Sequence, residues 1–262
     1  MNRFRQKQVY KKLLNQINSA NWLSEENQNL LRILPYELRE ELAFQTKTMV
    51  AYFDQEVSDL RTEEEKGALF AAPPGYDLSQ LNGLNVGCGD RIINEFLLPC
   101  DAHDGKWQVS ENEVFDSKTA LKCWAHDLPF KSNSIDFLVA LHILEHQPDP
   151  VEVVLHWLDI VKPGGGVGVV VPDWRYSWDA RNDNHVWGHR WNPTPNLVRK
   201  LYEQHWSKVS TLEHFCSYKW KLSFNFVLRK HGDFVPFNIH ESEHILTGKQ
   251  LADMGKIFHQ DD

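Results

Sequence analysis

The chain has 262 residues, 42% hydrophobic and 24% charged, with a formal net charge of −8 at pH 7. That length suits one large domain with or without a helical extension, and the ordinary composition excludes disordered, collagenous and disulfide-scaffold classes. The acidic balance argues against a broad duplex-DNA face, and no run reaches the roughly 18 apolar residues of a membrane span.

The start, Met1–Lys12, is basic but leads into no apolar h-region, so no secretory signal is expected. Cys88, Cys100, Cys123 and Cys216 are scattered without a Cys-x-x-Cys pair. They read as reduced thiols of a cytoplasmic protein.

Residues 1–75 read as helical, a cap or lid ahead of the main domain. Val9, Leu13, Leu14 and Ile17 recur at helical spacing, Ser24 could cap a second helix, and Pro35 fits the first turn of a third. That third segment runs through Tyr36, Leu38 and Leu42 toward Tyr52 and Val57. The charge-rich stretch Arg61–Lys66 and the breaker Ala72-Pro-Pro-Gly75 close the region.

From Leu81 onward short apolar runs alternate with loops and one clear helix. Candidate strands are Leu84-Asn-Val-Gly87, then Glu95–Asp101, Leu121–Asp127, Ile135–Leu141 and Gly166–Val171. The helix lies at Asp149–Val161, with Val151, Val154, Leu155, Leu158 and Val161 at its spacing. Near-continuous apolar strands imply a parallel sheet covered on both faces, and the alternation is that of a Rossmann-like, doubly wound α/β sheet. Val209–Tyr218 and Leu222–Leu228 could add an antiparallel hairpin at the C-terminal edge. The expected organisation is therefore a helical unit over 1–75, a main domain over 76–230 and a tail over 231–262.

Leu84-Asn-Val-Gly-Cys-Gly-Asp90 carries a strand into a Gly-x-Gly turn, where glycine lets backbone approach a ligand. The third glycine of the dinucleotide fingerprint is missing, which disfavours NAD and FAD. A carboxylate ending the second strand is what a ribose diol requires. Asp101 stands there, with Asp116 the alternative if the second strand is instead Glu113-Val-Phe115.

Further on come Asp127-Leu-Pro-Phe130, Ser134-Ile-Asp136, Leu141-His-Ile-Leu-Glu-His146, Lys162-Pro-Gly-Gly165 and Val171-Pro-Asp173. With the glycine turn and the acid, their order and spacing over residues 81–173 resemble the class I S-adenosylmethionine-dependent methyltransferases. More loosely, Gly188–Pro195 and Ser223–Lys230 resemble the family's later segments. The resemblance implies S-adenosylmethionine as cofactor. Gly87, Cys88 and Gly89 would lie along its methionine part, and Asp101 would bind the ribose. Asp127 would accept from the adenine amino group with Leu128 against the ring, while Leu141 and His142 would form the floor. The segment from Gly89 to Asp101 is short for the family's first helix, and the loop from Ala102 to Thr119 is correspondingly long.

Methyl transfer to oxygen calls for a base, and histidine suits neutral pH. His142, His146, His185 and His189 are the candidates, with a loop-shaping role as the plainer reading of His146. His185 and His189 have a spacing that could ligate metal, but Gly188 breaks any helix and no third ligand is evident, so no metal is expected. Six of ten tryptophans and seven of thirteen histidines fall between Trp174 and His244, which points to a binding surface. Trp174, Tyr176, Trp178, Trp187 and Trp191 could wall an acceptor pocket, and Asp173–Asp179 loosely resembles a segment of polysaccharide-associated methyltransferases. The expected acceptor is a small molecule or carbohydrate, methylated at oxygen by a monomer or homodimer, with no nucleic-acid or membrane partner. A non-catalytic, cofactor-binding module is the alternative.

Overall fold

The computed structural model describes residues 3–16, 26–27, 30, 34, 38, 47–103, 105–110, 113–175, 180–182, 188–218 and 223–236. Ile17, Ser24, Pro35, Tyr36, Leu42, Tyr176, Trp178, His185, Trp187 and the tail beyond 236 lie outside the described residues, as do the side chains of Tyr52, Val57 and Asp116.

Nine strands are formed by the described residues: β1 Gly83–Val86, β2 Leu97–Asp101, β3 Gly105–Ser110, β4 Glu113–Ser117, β5 Leu121–Lys122, β6 Ile135–Leu141, β7 Val161–Pro172, β8 Ser210–Ser217 and β9 Ser223–Lys230. Seven of them make one sheet in the order β5-β2-β1-β6-β7-β9-β8, and β3 and β4 form a separate antiparallel pair. Pairing is parallel from β5 through β7, while β9 runs antiparallel to both β7 and β8. The chain starts in the middle of the sheet, builds outward to β5, and returns to the other side of β1. The reversal between β1 and β6 is where such sheets open a ligand crevice at the carboxyl ends of their strands.

Each face of this sheet is covered, and β6 shows why its sequence is continuously apolar. Leu138 and Ala140 join the core against helix α3 (Pro150–Ile160), whereas Phe137, Val139 and Leu141 join the core that includes Leu60, Ala68 and Ala71. Those last three belong to, or directly follow, helix α2 (Lys47–Leu69). α3 begins sharply because Asp149 caps the amides of Val151 and Glu152 and Pro150 occupies its first turn. Trp157 then anchors it, wholly buried, its indole N–H donating to the Ala125 carbonyl at 2.7 Å.

The stretch Arg61–Lys66 does not end the helical region as its charge suggests, for α2 runs straight through it to Leu69. Only one face of that stretch meets the sheet, with Leu60, Glu64, Ala68 and Ala71 all buried. Contact is very close: a Cβ added to Gly168 would lie 2.2 Å from the Ala68 carbonyl oxygen, and one on Gly166 2.3 Å from that of Ala71. Ahead of α2, helix α1 (Arg3–Gln16) buries Leu13 in a small cluster with Leu34.

Two connections depart from a regular doubly wound unit. Residues Asp90–Phe96 connect β1 to β2 through turns, without a helix. The long connection after β2 is occupied by the β3–β4 hairpin, so Glu113-Val-Phe115 is not the second strand of the main sheet. The third strand is also shorter than its sequence suggests: β5 is two residues long, followed by a single bridge between Trp124 and Asp127.

Candidate active site

At the carboxyl end of β1, Gly87 and Gly89 both adopt positive φ, 65° and 51°. A Cβ on Gly87 would strike Ile143 Cγ1 at 2.5 Å, so the turn lies directly against the segment that follows β6. At Gly89 a Cβ would meet nothing within 4 Å, and the backbone there borders open space. The Gly89 N–H donates to Asp101 Oδ2 at 2.9 Å, and the His103 N–H donates to Oδ1 at 3.0 Å. Each carboxylate oxygen retains a lone pair for a further donor. Asp116 stands in the separate hairpin, outside the main sheet. Cys88 between the two glycines is buried, and burial pushes its thiol up to about 12. It is a packing residue rather than a nucleophile.

The next loop places Asp127 exposed and Leu128 buried. Its backbone is fixed from α3, the Leu128 N–H donating to His156 Nε2 at 3.1 Å. Leu141 ends β6, and His142 follows in a left-handed conformation, φ 54°. Asp101, Leu141 and the glycine turn thus share one end of the sheet, as their positions in sequence imply.

Two glutamates that the sequence reading did not single out organise the histidines. Glu64 of α2, with 3% of its side chain exposed, accepts from His142 Nε2 at 3.0 Å and from the Ser223 hydroxyl at 2.6 Å. Arg91 from the β1–β2 turn donates to its other oxygen at 2.9 Å. Burial alone would raise the Glu64 carboxyl, but His142, Arg91 and Ser223 together lower it to about 2. Conversely, burial would depress His142, yet the Glu64 and Glu145 carboxylates raise it to about 10. His142 is an imidazolium at neutral pH and has no free nitrogen lone pair with which to accept a proton.

Glu145, 1% exposed, lies beyond it, with Oε1 3.6 Å from His142 Nδ1 and 3.8 Å from His146 Nε2. Burial favours its neutral form, but His142, His146 and His189 hold it below the usual carboxylate range. His189 comes from the segment after β7 and is docked by backbone: the Arg190 N–H donates to the Glu145 carbonyl at 2.8 Å, and the Trp191 indole to that of Leu144 at 2.9 Å. The His146 and His189 rings meet edge to face, 5.1 Å between centroids. Glu145, His146 and His189 therefore form one cluster, immediately beside His142.

Not all of the aromatic enrichment belongs to a binding surface. Trp206 is wholly buried and stacks on Phe226 in the core. Trp174 and Trp191 are half-buried, the former under the Arg181 guanidinium at 5.1 Å.

A methyltransferase-domain family profile matches residues 32–220, well over half of the chain. The chain belongs to the methyltransferase-domain family. Its cofactor is S-adenosylmethionine. No protein of curated function matches the chain. Among solved structures, a chain from the complex of the Haloferax volcanii Trm112 methyltransferase activator with a methyltransferase candidate is similar at 15% identity and TM-score 0.44, covering 71% of this chain and 96% of that one. A methyltransferase candidate from Bacillus halodurans is similar at 14% identity and TM-score 0.45, covering 64% and 99%. An S-adenosylmethionine-dependent methyltransferase from Thermotoga maritima is similar at 16% identity and TM-score 0.43, covering 69% and 95%. Among the described residues of this methyltransferase, no helix is long and apolar enough to cross a membrane.

The crevice fits the cofactor on the chain's own terms. The backbone at Gly89 borders open space, and Asp101, braced by two backbone N–H groups, keeps lone pairs that a hydroxyl donor would fit.

Proposed function

We propose that this methyltransferase acts on an oxygen of a small-molecule or carbohydrate acceptor. The observation that supports this reading is the cluster of Glu145, His146 and His189 next to His142, a centre suited to drawing a proton from a hydroxyl. In this reading Gly87, Cys88 and Gly89 hold the methionine part of the cofactor, Asp101 the ribose and Asp127 the adenine amino group. Leu128 packs on the ring, and Leu141 and His142 form the floor. The cofactor, when bound, supplies a methyl group activated by its sulfonium. The chain's part is alignment and proton handling.

His142 serves as a fixed positive group: Glu64 and Glu145 grip its two nitrogens, so its ring is oriented and cannot act as base. Removal of the acceptor proton then falls to the Glu145–His146–His189 cluster. Trp174 and Trp191, half-buried in the segment after β7, are the described aromatic candidates for the acceptor, since faces of this kind stack on sugar rings and planar acceptors.

Calorimetry with S-adenosylmethionine should show binding to the wild type, with at least a tenfold loss in Asp101→Asn. Retained affinity in that variant would remove the ribose role from Asp101. Transfer of labelled methyl to a panel of sugars and small hydroxyl compounds tests the acceptor class. Cofactor binding with no S-adenosylhomocysteine formed from any oxygen acceptor, but turnover with amines, would overturn the oxygen assignment.

A further inference from the structure

We propose that Glu145, His146 and His189 are the ligands of a divalent transition-metal ion of the zinc type. One carboxylate oxygen and one nitrogen from each ring all lie within 4.8 Å of one another. Three points that close share a centre no more than about 2.8 Å from each, and rotations moving each atom by about 0.7 Å give the ~2.1 Å bonds of zinc to imidazole and carboxylate.

A second observation points the same way. Glu145 Oε2 and His146 Nδ1 are buried with no hydrogen-bond partner among the described residues. Each such atom costs about 1–3 kcal/mol unless something satisfies it. A cation bound through Glu145 Oε2 satisfies that oxygen, and one bound through His146 Nδ1 satisfies that nitrogen.

The surrounding structure fixes the three side chains as a site requires. Glu145 and His146 sit on the short 3-10 turn Leu144–His146, stabilised by the Gln147 N–H donating to the Leu144 carbonyl. The segment bearing His189 is pinned to that turn by the Arg190 amide and the Trp191 indole. Glu145 is oriented further by His142 Nδ1, an outer contact of the kind that steers ligating carboxylates.

The donor set selects among ions. Two imidazoles and one carboxylate suit zinc, cobalt, nickel or ferrous iron, whereas magnesium and calcium prefer oxygen alone. Three protein ligands leave at least one position open, as in catalytic rather than structural sites. That position takes water, or, on the oxygen-acceptor reading above, the acceptor hydroxyl, whose proton a metal makes easier to lose. The two histidines then hold the ion, and the proton of the hydroxyl it acidifies passes to solvent water.

The test uses the full chain after treatment with a chelator, titrated with cobalt(II) as a spectroscopic probe. The site predicts one cobalt per chain, visible d–d absorption of low coordination number, and paramagnetic broadening of the His146 and His189 imidazole signals in the wild type. Glu145→Gln and His189→Gln, checked for folding by near-ultraviolet circular dichroism, should lose at least about tenfold in cobalt affinity. A folded wild type that takes up no cobalt overturns the proposal. So does cobalt uptake that leaves both imidazole signals sharp, a readout that holds even where a variant fails to fold. S-adenosylmethionine calorimetry on the metal-free wild type separates this from failure of the methyltransferase reading, since cofactor binding there survives the loss of the metal proposal.

Discussion

Replacing Glu64 by glutamine tests how helix α2 is coupled to His142 at the end of β6. The substitution preserves shape and one hydrogen-bond acceptor but removes the charge that faces His142 and Arg91. The ordinary value of this carboxyl is 4.5 and the folded one about 2. At 1.36 kcal/mol per unit, that difference is worth about 3 kcal/mol of folding stability at neutral pH. Breaking a buried pair from one side costs about 3–5 kcal/mol. The lower end applies here, because Arg91 keeps Glu65 at 2.8 Å and the Arg61 carbonyl, and His142 keeps Glu145. The groups facing Glu64 are His142 from the end of β6, Arg91 from the β1–β2 turn, and Ser223 and Tyr218 from the β8–β9 side.

The sign follows from a depressed folded pKa: the contribution is complete above pH 4.5 and disappears as pH falls toward 2. Urea unfolding followed by tryptophan fluorescence should therefore show Glu64→Gln about 3 kcal/mol less stable than wild type at pH 7. The gap should narrow to about 1 kcal/mol at pH 3. A gap below about 1 kcal/mol at pH 7, or one independent of pH, would refute the reasoning.

Three other outcomes follow from the packing. Gly168→Ala should destabilise by about 2–3 kcal/mol in thermal or chemical unfolding, because its methyl meets the Ala68 carbonyl at 2.2 Å and the helix must lift from the sheet. Lys162→Met should cost about 3–5 kcal/mol by stranding the buried Asp136 carboxylate, its partner at 2.6 Å; the double variant with Asp136→Asn should cost less than the sum of the singles in a mutant cycle. Gly87→Ala combines positive φ with a clash at Ile143 and should lose more stability than Gly89→Ala, whose cost is about 1 kcal/mol of backbone strain. Calorimetry should still show weaker S-adenosylmethionine binding in Gly89→Ala, and unchanged affinity there would argue against a close approach at that glycine.

Much of the fold was legible because its signals are local. β6 is buried along its whole length, so its apolar run could not be mistaken for a half-exposed strand, and Asp149-Pro150 marks the start of α3 by capping chemistry alone. The motif order from the glycine turn to Val171-Pro-Asp173 likewise placed Gly87, Gly89, Asp101 and Leu141 at one end of one sheet. The hairpin within the long loop was not foreseen: β3 and β4 pair only with each other, and nothing in a short segment says which partner it will find.

Glu64 was hidden for a different reason. Its neighbours Glu63 and Glu65 made it look like one charge in a solvated run, although Leu60, Glu64, Ala68 and Ala71 fall at the i, i+4, i+8, i+11 spacing of one helix face. A lone acid on an otherwise apolar stripe was the available clue. His189 lacked a third ligand in its own stretch of chain, since Glu145 and His146 arrive from the far side of β7. The sequence by itself determined the alternation of strands and helices and which strand end carries the glycine turn and Asp101, because periodicity, caps and glycine turns act over a few residues; the cofactor class came from the resemblance of its motif order to a family. Only the tertiary structure decided that a helix before the sheet supplies the counter-charge for His142, and that two distant loops converge on one Glu–His–His centre. Burial and charge pairing depend on which surfaces meet, and that is settled by packing across the whole sheet.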